Sequence, residues 1–381
     1  MFETAPKFPP GMRYHFGKEA QLRRAVVDTV MGVFDGWSYD EITTPSIDYY
    51  SLFERGMGHD EAERAFRFTD SDGHLLTLRP EVTSGVARAA ATLLANSERP
   101  LRLCYAANVF RQRPRSRTEW RRETTQLGCE LIGSAGVRAD MEVLALAVEV
   151  LERLGLQQHY CITINNIEIF NGIVEQLGFA EAERLRLRNL IVSRDSDALQ
   201  RFLLQSAPSF AGDSLFSRYP EFSNKRETLA EARRVTTNRR SIAALESLDW
   251  LWSILESLDL TQSFEIDLGD VPRLNYYTGL TFKIFLAGIG VGVGAGGRYD
   301  ELTANFGRPE PAVGFVLDLD SLVDALACQN TPFTEKLNRT PFSLETDKSA
   351  LLFSEARQRR TNDERIRIRS SFDSQLEVLP D

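Results

Sequence analysis

Apolar residues along this chain recur with two different periods, and the changes between them lay out the expected elements. Between Gly17 and Phe34, Leu22, Ala25, Val26, Val30 and Val33 fall at helical spacing and predict an amphipathic helix. Trp37 to Thr44 reads as a short strand closed by Pro45, which cannot donate to a ladder and suits an edge or an interface. SLFERGMGHDEAERAFRF keeps helical character until it enters the aromatic, strand-like AFRFTD. The SDG that follows is a turn signal, so AFRFTDSDGHLLTLRP predicts a hairpin, with an Ala-rich helix from Thr83 to Leu94 behind it. RLCYAANVFR and TTQLGCELIG, between Arg102 and Gly133, predict a second hairpin. Ala139 to Leu154 predicts a helix ended by Gly155, and Tyr160 to Ile164 a strand. From Ile167 to about Leu258 the period stays helical, broken at Ser206 to Gly212 and near Ser217 to Ser223. FEIDL and LTFKIF return to alternation and predict two strands with one buried face each. PAVGFVLDLDSLVDAL adds a strand and a helix. Beyond Gln329 the pattern fades: TPFTEKLNRTPFSLETDKSA reads as a linker, and the rest as at most a strand-helix-strand remnant.

Composition narrows this picture without redrawing it. The 381 residues are 43% hydrophobic and 26% charged, enough for one large or two medium domains with a real core. No apolar run approaches the roughly 18 residues of a membrane helix, and MFETAPKFPPGMRYHFGKEA has no apolar signal core, so a cytoplasmic protein is expected. A net charge of -9 speaks against nucleic acid as the main partner. Cys104, Cys129, Cys161 and Cys328 are scattered among apolar neighbours, without metal spacing or a disulfide framework, and are expected as buried thiols. With four histidines besides, neither a metal site nor a cofactor is expected.

Candidate chemistry collects in four segments: LRPEVT, VFRQRPRSR to QLGCE, LNYYTG and GAGGRYDEL. Each is a strand end or tight turn carrying a charged or hydroxyl group, as a shared pocket requires. Glu81, Gln126 and Glu130 are suited to an ammonium or imidazole. Arg111 and Arg298 are suited to clamp an anion, and Tyr276 or Tyr277 to wall the pocket. The link between the strands of the second hairpin carries Arg111, Arg113, Arg115, Arg117, Arg121 and Arg122 and no lysine, which favours forked recognition of phosphate over a merely solvated loop. Gly292, Gly294, Gly296 and Gly297 leave two readings of the segment before Arg298: a glycine-softened hairpin with a surface arginine, or backbone brought close to a ligand.

In this order the segments resemble the class II histidyl-tRNA synthetase core over roughly residues 8 to 328. Pro45 lies in what resembles the first class II motif, FRQRP to QLGCELIG the second, and PAVGFVLDL the third; LRPEVT, LNYYTG and GAGGRYDEL are similar to segments peculiar to histidyl enzymes. The resemblance implies an α+β fold, an antiparallel sheet flanked by helices with a helical insertion at about 167–258, and a short extension over 329–381 in place of an anticodon-binding domain. It implies that Glu81, Thr83, Gln126, Glu130 and Tyr276 or Tyr277 face a histidine-like ligand, and that Arg111 faces an ATP phosphate in a true synthetase.

The departures shift the expected activity. Where active synthetases carry Arg-Gly-Leu-Asp before the tyrosine pair, this chain reads Pro272, Arg273, Leu274, Asn275. A one-residue shift turns a side chain to the other face, and proline removes a donor. The acidic residue expected soon after Arg111 is missing as well. A core of this kind, without the arginine and the tRNA-binding domain, resembles the regulatory subunits of ATP phosphoribosyltransferase. That family implies a non-catalytic chain with a homodimeric core that binds the short-form catalytic subunit, a possible histidine ligand, and neither tRNA nor membrane as a partner. A truncated histidyl-tRNA synthetase or a related amino-acid-activating ligase is the competing reading.

Overall fold

Two helical layers and an eight-stranded sheet place the candidate residues. The computed structural model describes residues 8–113, 120–208, 210, 215, 225–272, 274 and 276–329, and beyond these 333, 342–344, 355, 357–359, 361 and 366–368. Arg115, Arg117, Arg273 and Asn275 lie outside the described residues. Two compact units divide the chain, Met1–Gln329 and Asn330–Asp381.

In the first unit, α1 (Gly17–Gly36) buries Val26, Val30, Val33 and Phe34 on the apolar stripe that its spacing predicts. The strand expected from Trp37 to Thr44 shrinks to β1 (Asp40–Glu41), because Ser38 takes a left-handed φ of 62° and breaks the extended run. β2 (Ile47–Tyr49) leads into α2 (Tyr50–Met57) and the single turn α3 (His59–Ala62). β3 (Arg67–Thr69) and β4 (Leu75–Leu78) form the first expected hairpin, joined through Asp70 and Gly73, and with β2 they make a three-stranded sheet in the order β2-β4-β3. After α4 (Thr83–Ala91), β5 (Leu101–Phe110) and β6 (Glu123–Ile132) form the second hairpin in continuous register from Leu101↔Ile132 to Phe110↔Glu123.

α5 (Val137–Arg153) and β7 (Tyr160–Asn166) precede the helical insertion. Its helices are α6 (Ile167–Leu177), α7 (Glu181–Ser193), α8 (Ser196–Ser206), α9 (Arg226–Val235) and α10 (Arg239–Ser257). The large sheet is completed by β8 (Phe264–Ile266), β9 (Leu280–Leu286), β10 (Gly292–Arg298) and β11 (Ala312–Asp318), with α11 (Leu319–Cys328) closing the unit. The strand order is β1-β5-β6-β11-β10-β9-β7-β8. An antiparallel sheet is expected from the resemblance; the observed one is mixed, since β1 runs parallel to β5 and β8 parallel to β7 at the two edges. FEIDL and LTFKIF are both strands, yet β7 lies between them.

Alternation along β5 sorts the two layers. Leu101, Leu103, Tyr105, Ala107 and Val109 pack with Val82, Val86, Ala87 and Ala90 beside α4. Arg102 and Cys104 turn the other way, where Arg102 donates to Glu142 of α5 (2.8 Å). Cys104 and Cys129 are buried as expected, whereas Cys161 is half-buried and Cys328 is exposed at the last turn of α11. In the second unit, β12 (Phe342–Leu344) pairs in parallel with β13 (Ile366–Ile368), so the segment expected as linker contributes a strand.

Candidate functional site

The site is built around Glu130, a buried carboxylate on β6. Thr83 Oγ1, at the start of α4, donates to its Oε1 at 2.8 Å, and the Tyr105 hydroxyl donates to the same atom at 3.2 Å. The Tyr299 hydroxyl donates to Oε2. Burial drives the Glu130 carboxyl from 4.5 up to about 7, against the three hydroxyls that favour its charged form. A side chain on β11 would collide with this carboxylate: a Cβ at Gly314 would sit 1.9 Å from Glu130 Oε2. Glycine there is what lets the acid lie flat against the neighbouring strand.

Glu81 approaches from the loop before α4 and accepts the Ser84 N–H at 3.1 Å. Its carboxyl is also raised, first by burial, while Arg111 pulls the other way. Tyr276 and Tyr277 close the pocket from above, their rings 4.7 Å apart, with Tyr276 edge-on to Tyr299 at 5.8 Å. The Tyr277 ring rests on Gly297, where a Cβ would come within 2.8 Å of it. Thr83, Glu130, Tyr276, Tyr277 and Tyr299 thereby enclose a cavity of about 30 Å³.

Beyond this cavity lies a cleft of about 550 Å³, and Ala295 and Val316 line both. Gln126 and Arg111 belong to the cleft, not to the small cavity. Gln126 is four residues from Glu130 on the same strand face, roughly 13 Å away at about 3.3 Å per residue. Arg111 Nε donates to the Pro80 carbonyl at 3.1 Å, which holds its guanidinium beside Glu81. The other cations of the cleft have acidic partners: Arg121 pairs with Asp324, and Lys283 with Asp270. Asp318 stands in the cleft wall and caps α11 by accepting the Ser321 N–H at 2.7 Å.

Arg298 has a different partner from the anion expected in front of it. It is buried behind the sheet, where its Nη2 meets Asp140 of α5 at 2.7 Å and its Nη1 meets Asp300 at 3.0 Å. The carbonyls of Ser134 and Gly136 take further donors. Neither of the two readings left by the glycines covers this: β9 and β10 do pair as a hairpin, but the arginine at its end is interior. The next residue, Tyr299, faces Glu130 instead, because neighbours leaving a strand point to opposite sides. Tyr105 and Tyr299 are pocket residues not singled out in the sequence, although Tyr299 lies within GAGGRYDEL next to Arg298. Pro272 is half-buried where the tyrosine-bearing loop leaves Asp270 and Val271.

The model of the histidyl-tRNA synthetase family matches residues 11–322. An ATP phosphoribosyltransferase regulatory subunit of Syntrophotalea carbinolica is 33% identical over 326 residues, 85% of this chain and 76% of that protein. One of Geobacter sulfurreducens is 35% identical over 323 residues, 84% and 72% of the two chains. The chain belongs to the ATP phosphoribosyltransferase regulatory subunit family. A crystal structure described as an ATP phosphoribosyltransferase regulatory subunit/histidyl-tRNA synthetase from Bacillus halodurans superposes with a TM-score of 0.83 at 28% identity, over 100% of this chain and 95% of that one. The histidyl-tRNA synthetase of Nostoc sp., 18% identical with a TM-score of 0.79 over 97% and 87% of the two chains, shares the fold. This member of the regulatory subunit family therefore has the synthetase-like α+β core. Among the described residues no helix is long and apolar enough to cross a membrane.

Proposed function

We propose that this chain is a non-catalytic regulatory subunit of a short-form ATP phosphoribosyltransferase, required for the partner's activity and for its inhibition by histidine at the first step of L-histidine biosynthesis. One observation carries the reading: the pocket around Glu130 brings Thr83, Tyr276 and Tyr277 together with Glu81 nearby, and the sequence reads Pro272 where the resemblance to active synthetases leads one to expect the adenylating arginine. Pairing of Arg121 and Lys283 with their own acids supports the loss of nucleotide activation, since a triphosphate entering the cleft has to displace them. Reactions run by the partner's subunit are expected in the cytoplasm, and no cofactor enters this chain's part in them.

Histidine is the ligand that we infer for the Glu130 pocket. Two buried carboxylates whose charge burial disfavours gain from an arriving ammonium or imidazolium. At about 30 Å³ the cavity has room for one water and not for an amino acid, so ligand entry moves Tyr276 and Tyr277 outward. A homodimeric core is supported by the small sheet. Ile47 pairs with Leu78, and Tyr49 and Phe68 both pair with Leu76; alternate rows share a face, so these five apolar side chains sit together, with His74 and Asp70 at the border beside Tyr49. Ile47, Tyr49 and Phe68 are exposed there, the pattern of an obligate interface that lacks its second half.

The test mixes the purified chain with the short-form catalytic subunit of the same genome and follows phosphoribosyl transfer to ATP with and without histidine. The chain alone is expected to turn over nothing, and the mixture to gain both rate and histidine sensitivity. A mixture no faster than the catalytic subunit alone sinks the reading, and histidine-dependent ATP–pyrophosphate exchange by the isolated chain replaces it with a synthetase.

A further inference from the structure

Ahead of α1, residues 8–18 cross the unit as a strap whose two sides differ in chemistry. The Arg122 N–H donates to the Gly11 carbonyl at 2.8 Å and fastens the strap beside Trp120. Further along, Arg13 and His15 meet Glu19 of α1 at 3.3 and 2.8 Å and reach the buried Asp320 at 3.5 and 3.9 Å, where Arg23 also arrives at 2.8 Å. Tyr14 and Phe16 turn outward and are 72% and 79% exposed; Phe16 is extended, with φ -147° and ψ 167°. Phe8 packs edge-on against Tyr14 with centroids 5.0 Å apart, and Trp120 across the strap is also exposed. Single exposed aromatic residues are ordinary, but a group of them on a segment clamped by an interior carboxylate marks a surface that awaits a partner.

Charge says which partner. Residues 8–18, 111–113 and 120–122 carry six cations, Arg13, Lys18, Arg111, Arg113, Arg121 and Arg122, on a chain of net charge -9. Glu19 and Asp320 offset Arg13, and Asp324 offsets Arg121, which still leaves cations in excess here. Two copies meeting through this surface would set like charges against each other, whereas the mainly apolar sheet face carries little such penalty. We propose that the strap is the docking surface for the catalytic partner, with Tyr14 and Phe16 entering apolar pockets rimmed by that protein's carboxylates. Exposed aromatic residues among arginines are the composition of interface hot spots. The inference rests on the regulatory reading above and adds where the partner sits. It also gives docking a route to the cleft: the second oxygen of Asp320 accepts the Thr125 N–H at 3.3 Å, next to Gln126, so the carboxylate that anchors the strap also anchors the cleft's edge.

The experiment compares the full-length wild type, the double variant Tyr14→Ala/Phe16→Ala and the conservative Tyr14→Phe, each titrated calorimetrically with the catalytic subunit. The double variant is expected to bind about tenfold more weakly or worse, as loss of two central aromatic anchors does. Tyr14→Phe is expected to stay close to wild type, with melting temperature and self-association unchanged in both. Wild-type affinity is expected to fall as salt rises. Equal affinity of wild type and double variant overturns the proposal. Loss of self-association assigns the strap to a second copy and overturns it as well, as does loss of a gel shift that the wild type gives with total tRNA. If the wild type itself binds no catalytic subunit, it is the regulatory reading that fails, and this inference with it.

Discussion

Replacing Glu130 by Gln isolates the one buried acid on which the pocket is centred. In the folded protein its carboxyl titrates at about 7 instead of 4.5, with burial as the main cause. A raised folded value means that the fold prefers the protonated acid. That preference stabilises the protein fully below about pH 4.5 and is lost as pH rises through about 7, where the group must ionise inside the protein. At about 1.4 kcal/mol for each pH unit the loss amounts to about 3 kcal/mol. Glutamine keeps an oxygen for Thr83 and Tyr105, and its NH₂ can donate to the Tyr299 hydroxyl once that hydroxyl rotates. Urea unfolding of both proteins at pH 5 and pH 8, without ligand, measures the effect. Glu130→Gln is expected to gain about 2.5 kcal/mol on the wild type between the two pH values, since part of the loss already lies below pH 5, and to lose stabilisation by added histidine at both. Parallel unfolding curves, with a variant-to-wild-type gap that does not move with pH, would refute the claim that Glu130 is held partly protonated by burial.

Two further outcomes follow from other parts of the molecule. Arg298→Ala leaves Asp140, already raised by burial with the arginine present, without its partner, and should cost about 3–5 kcal/mol in urea unfolding. A loss below about 1 kcal/mol would show that the pair is solvated. The double substitution Tyr49→Lys/Phe68→Lys places two charges on the apolar sheet face and should raise the dimer dissociation constant a hundredfold or more, about 3 kcal/mol, by sedimentation equilibrium; an unchanged constant would put the dimer contact elsewhere.

Much of the scaffold was readable from period alone, for reasons visible in particular strands. Leu101 to Val109 alternates because one side packs under α4, and FRFTDSDGHLLTL turns where Asp70 accepts the N–H groups of Asp72 and His74. Residues whose fate is set by a distant neighbour were not readable in this way. Arg298 has the local setting of an anion clamp, yet Asp140, 158 residues away in sequence, takes it into the interior. Tyr299 gains its place from Glu130, 169 residues away. The parallel pairing of β1 and β8 is equally nonlocal: two- and three-residue strands hold too little alternation to reveal direction. Within the pocket, LRPEVT, QLGCE and LNYYTG are separated in sequence and legible only as a set. Gly128, between Gln126 and Glu130, makes the room that Tyr105 fills, since a Cβ there would come within 2.5 Å of its hydroxyl.

The helical insertion leaves the sheet from β7 and returns on β8, with Ile162 paired in parallel to Phe264 roughly a hundred residues later. The two strands are neighbours at the edge farthest from β1; because they run parallel, the chain has to cross back before β8, and Ser241 at the start of α10 donates to the Ile169 carbonyl of α6 at 2.7 Å, which seals the neck where that return begins. Closing a loop grows costlier only slowly with its length, about 0.6 kcal/mol for each doubling. Helices beyond that neck can therefore lengthen, shorten or be exchanged during divergence with little change to the stability of the sheet. During folding, β8 is the strand that has to wait for them.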